Sequence, residues 1–421
     1  MKYRYRVLPL LILLTIITYL DRVLIAVAGP RMQQELQISP ARWGWVVGVF
    51  AIAYAAFEIP SGAWGDRVGP RRVLTRIVLW WSAFTIFTGF ASNYWVLLAV
   101  RFSFGAGEAG AYPNIAASIS RWFPRVERGQ ALGMVLMASQ IGGALTPLLV
   151  IPIQAAHGWR ASFYLCGSLG VLWAAAWYWY YRDSPAEMPG VPLAEIKEVD
   201  SAPGSPHQPL PWGIVLRSVN LWCIMLMALA YFYAGYFFLS WFQTYLVKGR
   251  GFSEQQLVLS ALPFVLGTCG NLTGGFASDA LVRRHGVKRG RRTMGMVGTG
   301  LAALAMAAAM VTADRFLALV FLSVSYLGVT LTQPTAFAVC LDIAPRHGGA
   351  TAGAMNTAAQ VGAFVSSVVF GYLVTLTGSY NVPLLPMAVM LLFSAMLWLK
   401  IDPTKPLIAG DPVGRYQPSR A

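Results

Sequence analysis

Long apolar runs dominate the chain, and the charged residues fall almost entirely in the gaps between them. Runs of bilayer length stand at 7–28, 43–64, 73–92, 94–117, 130–154 and 161–181. A second set follows at 219–246, 256–278, 293–312, 316–340, 350–376 and 382–399. About 20 mostly apolar residues suffice for a helix to cross a hydrocarbon layer ~30 Å thick, so the pattern predicts an all-α membrane protein with twelve spanning helices. The first run lacks a small-residue cleavage pattern before the next one and reads as the first helix, not a removable leader. Between the two sets, 183–217 is rich in Pro, Gly, Ser and acidic residues and cannot bury a core. It reads as a linker with one or two amphipathic turns at 193–199. The expected organisation is therefore a six-helix bundle over 1–182, the linker over 183–217, a second bundle over 218–400 and a tail over 401–421.

Composition sharpens this picture. Of the 421 residues, 57% are hydrophobic and 12% charged, whereas soluble chains carry about 25% charged residues. The net charge of +15 raises the question of nucleic acid, and its distribution answers it. The basic residues cluster in alternate loops: Lys2, Arg4 and Arg6; Arg67, Arg71 and Arg72; Arg121, Arg125 and Arg128; and the stretch from Arg283 to Arg292. The other loops are nearly bare. This positive-inside alternation orients the chain in an inner (plasma) membrane with both termini cytoplasmic, and gives no reason to expect a nucleic-acid partner. The bilayer is the expected partner, and nothing in the chain calls for more than a monomer.

Cys166, Cys223, Cys269 and Cys340 lie inside apolar runs at unrelated spacings, so they form neither a metal site nor a disulfide framework. His157, His207, His285 and His347 fall in loops or at helix edges. With no nucleophile–base pair and no metal-ligand cluster, the chain is not expected to be an enzyme or to hold a cofactor.

The two halves echo each other. Gly62, Asp66, Arg67, Gly69, Arg71 and Arg72 follow the second run, and Gly275 and Asp279 with the basic stretch 283–292 end the eighth. A shared motif six spans apart indicates a duplicated six-helix unit, an arrangement that lets a site at the repeat interface open to either side.

The segment 62–72 resembles the motif that the major facilitator superfamily carries between its second and third helices. Further segments resemble one branch of it, the anion:cation symporters. That branch includes bacterial galactonate, glucarate, hexuronate and phthalate carriers, with sialin and the vesicular glutamate transporters among its relatives. They are Tyr19 to Arg22, Tyr54 to Gly62, Arg101 to Ala109 with Tyr112 and Pro113, Arg121 to Pro124, Glu127 to Gly129 and Gly158 to Arg160, then Pro211 and Trp212, Trp241 to Leu246, and Gly353 to Asn356. The resemblance covers nearly the whole chain and implies the major facilitator fold. Two positions depart from it: Glu58 stands where the family usually has Gln, and Gln243 where it often has Pro in the seventh helix.

Ionisable groups within membrane helices are costly and therefore point to function. Asp21 and Arg22 lie well inside the first run. Tyr19 and Arg22, three apart, share a face and can present a hydroxyl and a guanidinium to one ligand, and the arginine's fixed fork matches a carboxylate. The resemblance assigns this arginine to the substrate carboxylate. Arg101 and Glu108, seven apart in the fourth run, lie near one face. Burial disfavours a charged carboxylate and a nearby arginine favours it, the balance a coupling group requires. The resemblance makes Asp21 and Glu108 the protonation sites. By chemistry alone, carboxylate and carbonyl oxygens suit sodium as well as a proton. A static Arg101–Glu108 structural pair is the bland alternative.

Tyr54, Gln140 and Asn356 are polar residues in apolar spans; they resemble positions that bind substrate, and equally serve as glue between helices. Thr332, Gln333 and Thr335 flank Pro334, where a kink can face a cavity. By resemblance Asp66 belongs to a cytoplasmic gate with Arg67, Arg71 and Arg128 as candidate partners. Glu58 reads either as a solvated acid or as a pH-sensitive member of that gate.

These readings lead to proton-coupled symport of a small organic anion, a sugar acid or another hydroxylated or aromatic carboxylate, by alternating access. Organophosphate exchange is the alternative within the same fold, although the seventh run contains no basic residue for it. A transport-dead sensor is the alternative of another class.

Overall fold

The structure, a computed structural model, describes residues 2–200, 212–344 and 347–408. Among these the chain is helical and contains no strand. It divides into two compact units, one of residues 1–38 and 45–206 and one of 39–44 and 207–421.

In the first unit the helices are α1 (Arg4–Glu35), α2 (Pro40–Val68), α3 (Pro70–Gly89), α4 (Tyr94–Glu108), α5 (Ala111–Trp122), α6 (Arg125–His157) and α7 (Trp159–Tyr180). The short α8 (Leu193–Asp200) forms where amphipathic turns are expected. α1 packs along α6 and α7, and α3 against α7 and α4. Small residues permit these approaches: a Cβ at Gly142 of α6 would sit 2.5 Å from the Ile16 carbonyl oxygen, and one at Gly105 of α4 would sit 2.5 Å from that of Phe50. On α7, Trp173 stacks on Trp177 and Trp177 on Tyr181, while the Trp173 indole donates to the Leu10 carbonyl at 2.8 Å.

The fourth apolar run differs from its expected single helix. It breaks between α4 and α5, where Ala109 is extended (φ −55°, ψ 135°) and Gly110 is left-handed (φ 88°). Pro113 explains the break, because in a continuous helix its ring would collide with the carbonyl four residues earlier, that of Ala109. Gly110 supplies the positive φ that lets the chain resume as α5.

The second unit contains α9 (Trp212–Val215), α10 (Val219–Gly235), α11 (Phe237–Ser240), α12 (Phe242–Thr244), α13 (Leu262–Val311), α14 (Arg315–Ile343), α15 (Gly348–Thr377) and α16 (Leu384–Lys400). α10 to α12 continue into a π-turn at Tyr245–Gly249 and together form the seventh span. α13 holds the eighth and ninth spans, separated by Gly286 at φ 79°. α13 packs on α14 and α16, and α10 on α15 and α16. With α4 and α5 counted as one span and α13 as two, the described residues supply twelve.

Polar contacts fasten the ends of the spans. Glu195 of α8 accepts the backbone N–H groups of Tyr3 and Arg4, each at 3.0 Å, and so caps α1. Arg4 is itself buried and pairs with Glu127 and Glu198, both at 2.7 Å. In the second unit, Arg291 donates to Ser278, Asp279 and Asp342 at 2.7–3.2 Å, which gives the repeated motif there an ion-pair cluster. Asp402 pairs with Lys288 at 2.6 Å and exchanges hydrogen bonds with Asn220. Although burial pushes the Asp402 carboxyl upward, Lys288 and Thr404 hold it down at about 2.

Candidate functional site

The break after α4 gathers a buried charge cluster inside the first unit. Glu108 is the last residue of α4 and Tyr112 the second of α5, so the break sets both side chains facing α1. The Glu108 carboxylate accepts a hydrogen bond from Arg22 Nε of α1, forming a buried ion pair. The Arg22 guanidinium lies among aromatic rings, 5.4 Å from the Tyr19 centroid, 5.3 Å from Phe50 and 4.9 Å from Tyr54. Such rings stabilise a cation that the bilayer interior would otherwise penalise. Arg22 Nη2 and the second oxygen of Glu108 have no hydrogen-bond partner among the described residues. Each therefore retains capacity for a further polar contact.

Arg101 joins the same cluster from α4. It is buried, with its guanidinium 5.3 Å from the Phe50 ring and 4.6 Å from Phe104. Phe50 thus lies beside both arginines. Asp21 is 2% exposed, and neither of its carboxylate oxygens has a hydrogen-bond partner among the described residues. Arg101 and Glu108, Trp81 and Thr85 of α3, and Cys166 of α7 surround it. Two arginines and two acids thus occupy one buried region. The cluster is neutral when both acids are ionised and gains one positive charge with each proton taken up.

Tyr19, Asp21, Arg22, Tyr54, Arg101 and Glu108 are therefore brought together. Two contributors escape the sequence reading: Phe50, whose role is to lie against the guanidinium groups, and Tyr112, whose buried hydroxyl has no partner among the described residues and faces Tyr19, Arg22 and Tyr54. Tyr112 carried a signal in its place beside Pro113, the residue that breaks the helix. Glu108 accepts its hydrogen bond from Arg22, and Arg101 lies within electrostatic reach of the same carboxylate.

Gln140 is buried on α6, two residues before the Gly142 contact with α1. Asn356 is half-buried on α15 in the second unit. Of the residues flanking Pro334, Thr332 is buried and bonds the Gly328 carbonyl, while the buried Thr335 hydroxyl has no partner among the described residues. Glu58 lies one turn beyond Tyr54 on α2 and is 8% exposed, so it is not a freely solvated acid. Of the gate candidates, the Asp66 side chain lies outside the described residues. Arg67 is exposed. Arg71 donates to the Tyr178 carbonyl at 2.6 Å, and Arg128 to the carbonyls of Phe123 at 2.9 Å and Ser120 at 2.7 Å.

Apolar helices long enough to cross a membrane, burying an ion-paired arginine among aromatic rings, define the class as a multi-pass membrane protein, and comparison with known proteins makes it a transporter. The family model described as Major Facilitator Superfamily matches residues 11–367, and the chain belongs to that superfamily. It is 35% identical over 408 residues to the "probable sulfoacetate transporter SauU" of Cupriavidus necator, covering 96% of this chain and 94% of that one. It is 29% identical to the "hexuronate transporter" of Bacillus subtilis, covering 98% and 97%. A solved bacterial homolog of the human lysosomal transporter Spinster shares the fold with a TM-score of 0.78 at 21% identity, over 95% of this chain and 97% of that chain.

Proposed function

We propose that this transporter is a proton-coupled symporter of a small organic anion, working by alternating access in an inner membrane with both termini cytoplasmic. The observation that carries the reading is the Arg22–Glu108 pair, which leaves polar capacity on both partners. A proton and Arg22 compete for the same carboxylate. When Glu108 takes a proton, the guanidinium is released to bind a carboxylate or sulfonate of the substrate, so that anion binding and proton uptake are linked. Asp21 and Arg101 form the second acid–base set. Each accepted proton frees one positive charge for the anion, which keeps the loaded carrier near neutral while it crosses the membrane.

Tyr19, Tyr54 and Tyr112 supply hydroxyls for the remainder of the substrate, and Gln140 joins them by the family resemblance, which also makes Asn356 of the second unit a substrate-binding candidate. The names of the relatives point to small carboxylates that carry a second polar group, such as a sulfonate or the hydroxyls of a sugar acid. The test is uptake by proteoliposomes under an imposed inward proton gradient, with sulfoacetate and a hexuronate offered in turn. Accumulation that collapses with a protonophore supports the proposal. Accumulation that follows a sodium gradient and ignores the protonophore would replace proton coupling with sodium coupling.

A further inference from the structure

One face of α3 carries two exposed arginines, Arg72 and Arg76. Arg72, Arg76, Leu79 and Ala83 recur at intervals of three and four and are exposed or half-exposed, opposite the buried face of Val73, Leu74, Ile77, Val78 and Trp81. Together with Trp80 and with Tyr178 of α7 they line a groove of about 450 Å³. At ~1.5 Å rise per residue, Arg72 and Arg76 lie within ~9 Å of the start of α3, and Ala83 lies ~20 Å along it. The groove therefore has a cationic mouth at headgroup depth and an apolar floor at acyl-chain depth.

The walls are built and not merely exposed. The Arg76 guanidinium stacks over the Trp64 ring of α2 at 4.2 Å, which fixes its position. The Trp80 indole donates to the Ser103 carbonyl at 2.9 Å. Its ring occupies the space left by the missing side chain of Gly107, where a Cβ would lie 1.7 Å from a ring carbon. Neither Arg72 nor Arg76 pairs with a carboxylate among the described residues. Cations at the edge of the hydrocarbon need a counter-charge or a path to water, and a lipid phosphate provides the first.

We propose that this groove is a binding site for an anionic phospholipid of the leaflet that meets the basic loops. Its phosphate sits between Arg72 and Arg76, and an acyl chain lies over Leu79, Trp80 and Ala83. Basic pockets between spanning helices select anionic headgroups in this way, at about fivefold in affinity per arginine near the membrane surface.

Native mass spectrometry of the full chain, with phosphatidylglycerol, phosphatidylcholine or inorganic phosphate added, tests the proposal. Phosphatidylglycerol should be retained in preference to phosphatidylcholine. Arg72→Gln with Arg76→Gln should weaken that retention by about 25-fold. Ala83→Trp, which keeps both charges and fills the floor, should also weaken it, so the test does not depend on the arginine variant folding. Arg283→Gln with Arg284→Gln, which removes two exposed charges from the second unit, should leave it unchanged. Equal retention of the two lipids would overturn the proposal, as would an equal loss in the 283/284 variant. Displacement by inorganic phosphate alone, or a lipid-free dimer closing over this face, would overturn it too.

Discussion

Single residues of the cluster retain unused polar capacity, on Arg22, Glu108 and Tyr112 in particular. Arg22→Lys keeps the charge and loses the planar fork that spans Glu108 and an incoming anion. A lost hydrogen bond between charged groups costs about 1.5–3 kcal/mol, so uptake should fall roughly 10- to 100-fold with expression unchanged. Initial rates in proteoliposomes check this, and wild-type affinity in the lysine variant would remove Arg22 from the site. Tyr112→Phe is a gentler probe. Its hydroxyl has no partner among the described residues, so its loss should leave thermal stability intact. If the hydroxyl meets substrate, a net hydrogen bond of about 0.5–1.5 kcal/mol predicts a 3- to 10-fold weaker affinity. Glu58→Gln restores the residue common in the family one turn from Tyr54, and the expected outcome is a flatter pH profile of transport with affinity nearly unchanged. A profile identical to wild type would leave Glu58 a packing residue.

Helices and their ends show how much of this was legible beforehand. The apolar runs placed the spans because bilayer length and composition constrain every spanning helix in the same way. The pairing inside the cluster was not legible. Arg22 and Glu108 are 86 positions apart, and nothing local indicates that α4 stops at Glu108 unless Pro113 is read as the cause. Residue spacing brings Arg101 near Glu108 along α4 but says nothing of which residue of α1 faces them. The linker illustrates the same limit: an amphipathic turn at 193–199 is visible in the sequence, but its docking on the first turn of α1 depends on long-range contacts. That docking predicts an effect. Glu195→Gln weakens a cap on two backbone N–H groups, an interaction typically worth about 1 kcal/mol, and should speed limited proteolysis around α8. Unchanged cleavage would mean that Glu198, through Lys2 and Arg4, holds α8 without the cap. At the far end of the second unit, the Asp402 carboxyl is held at about 2, below its ordinary value of 3.8. Its stabilising contribution is complete above that ordinary value and is lost as pH falls through about 2. The melting difference between wild type and Asp402→Asn should therefore stay constant from neutral pH to pH ~5 and shrink only below ~4.

For the whole molecule, family membership fixes the fold and the transporter class, and the coupling proposed above rests on the buried charges. The motif echoed between the halves is readable in the sequence, and in the second unit its Asp279 pairs with Arg291, which also pairs with Asp342. In the proposed orientation, single cysteines introduced between 183 and 217 should react with impermeant reagents only in inverted vesicles. In the proposed cycle a proton on Glu108 and an anion on Arg22 depend on each other. Glu108→Gln imitates the protonated acid and leaves Arg22 permanently available. The deciding measurement compares two fluxes of that variant in proteoliposomes: exchange of labelled for unlabelled substrate with no gradient, and net accumulation under an inward proton gradient. Exchange should persist and accumulation should be abolished. Accumulation at the wild-type level in Glu108→Gln would contradict that cycle.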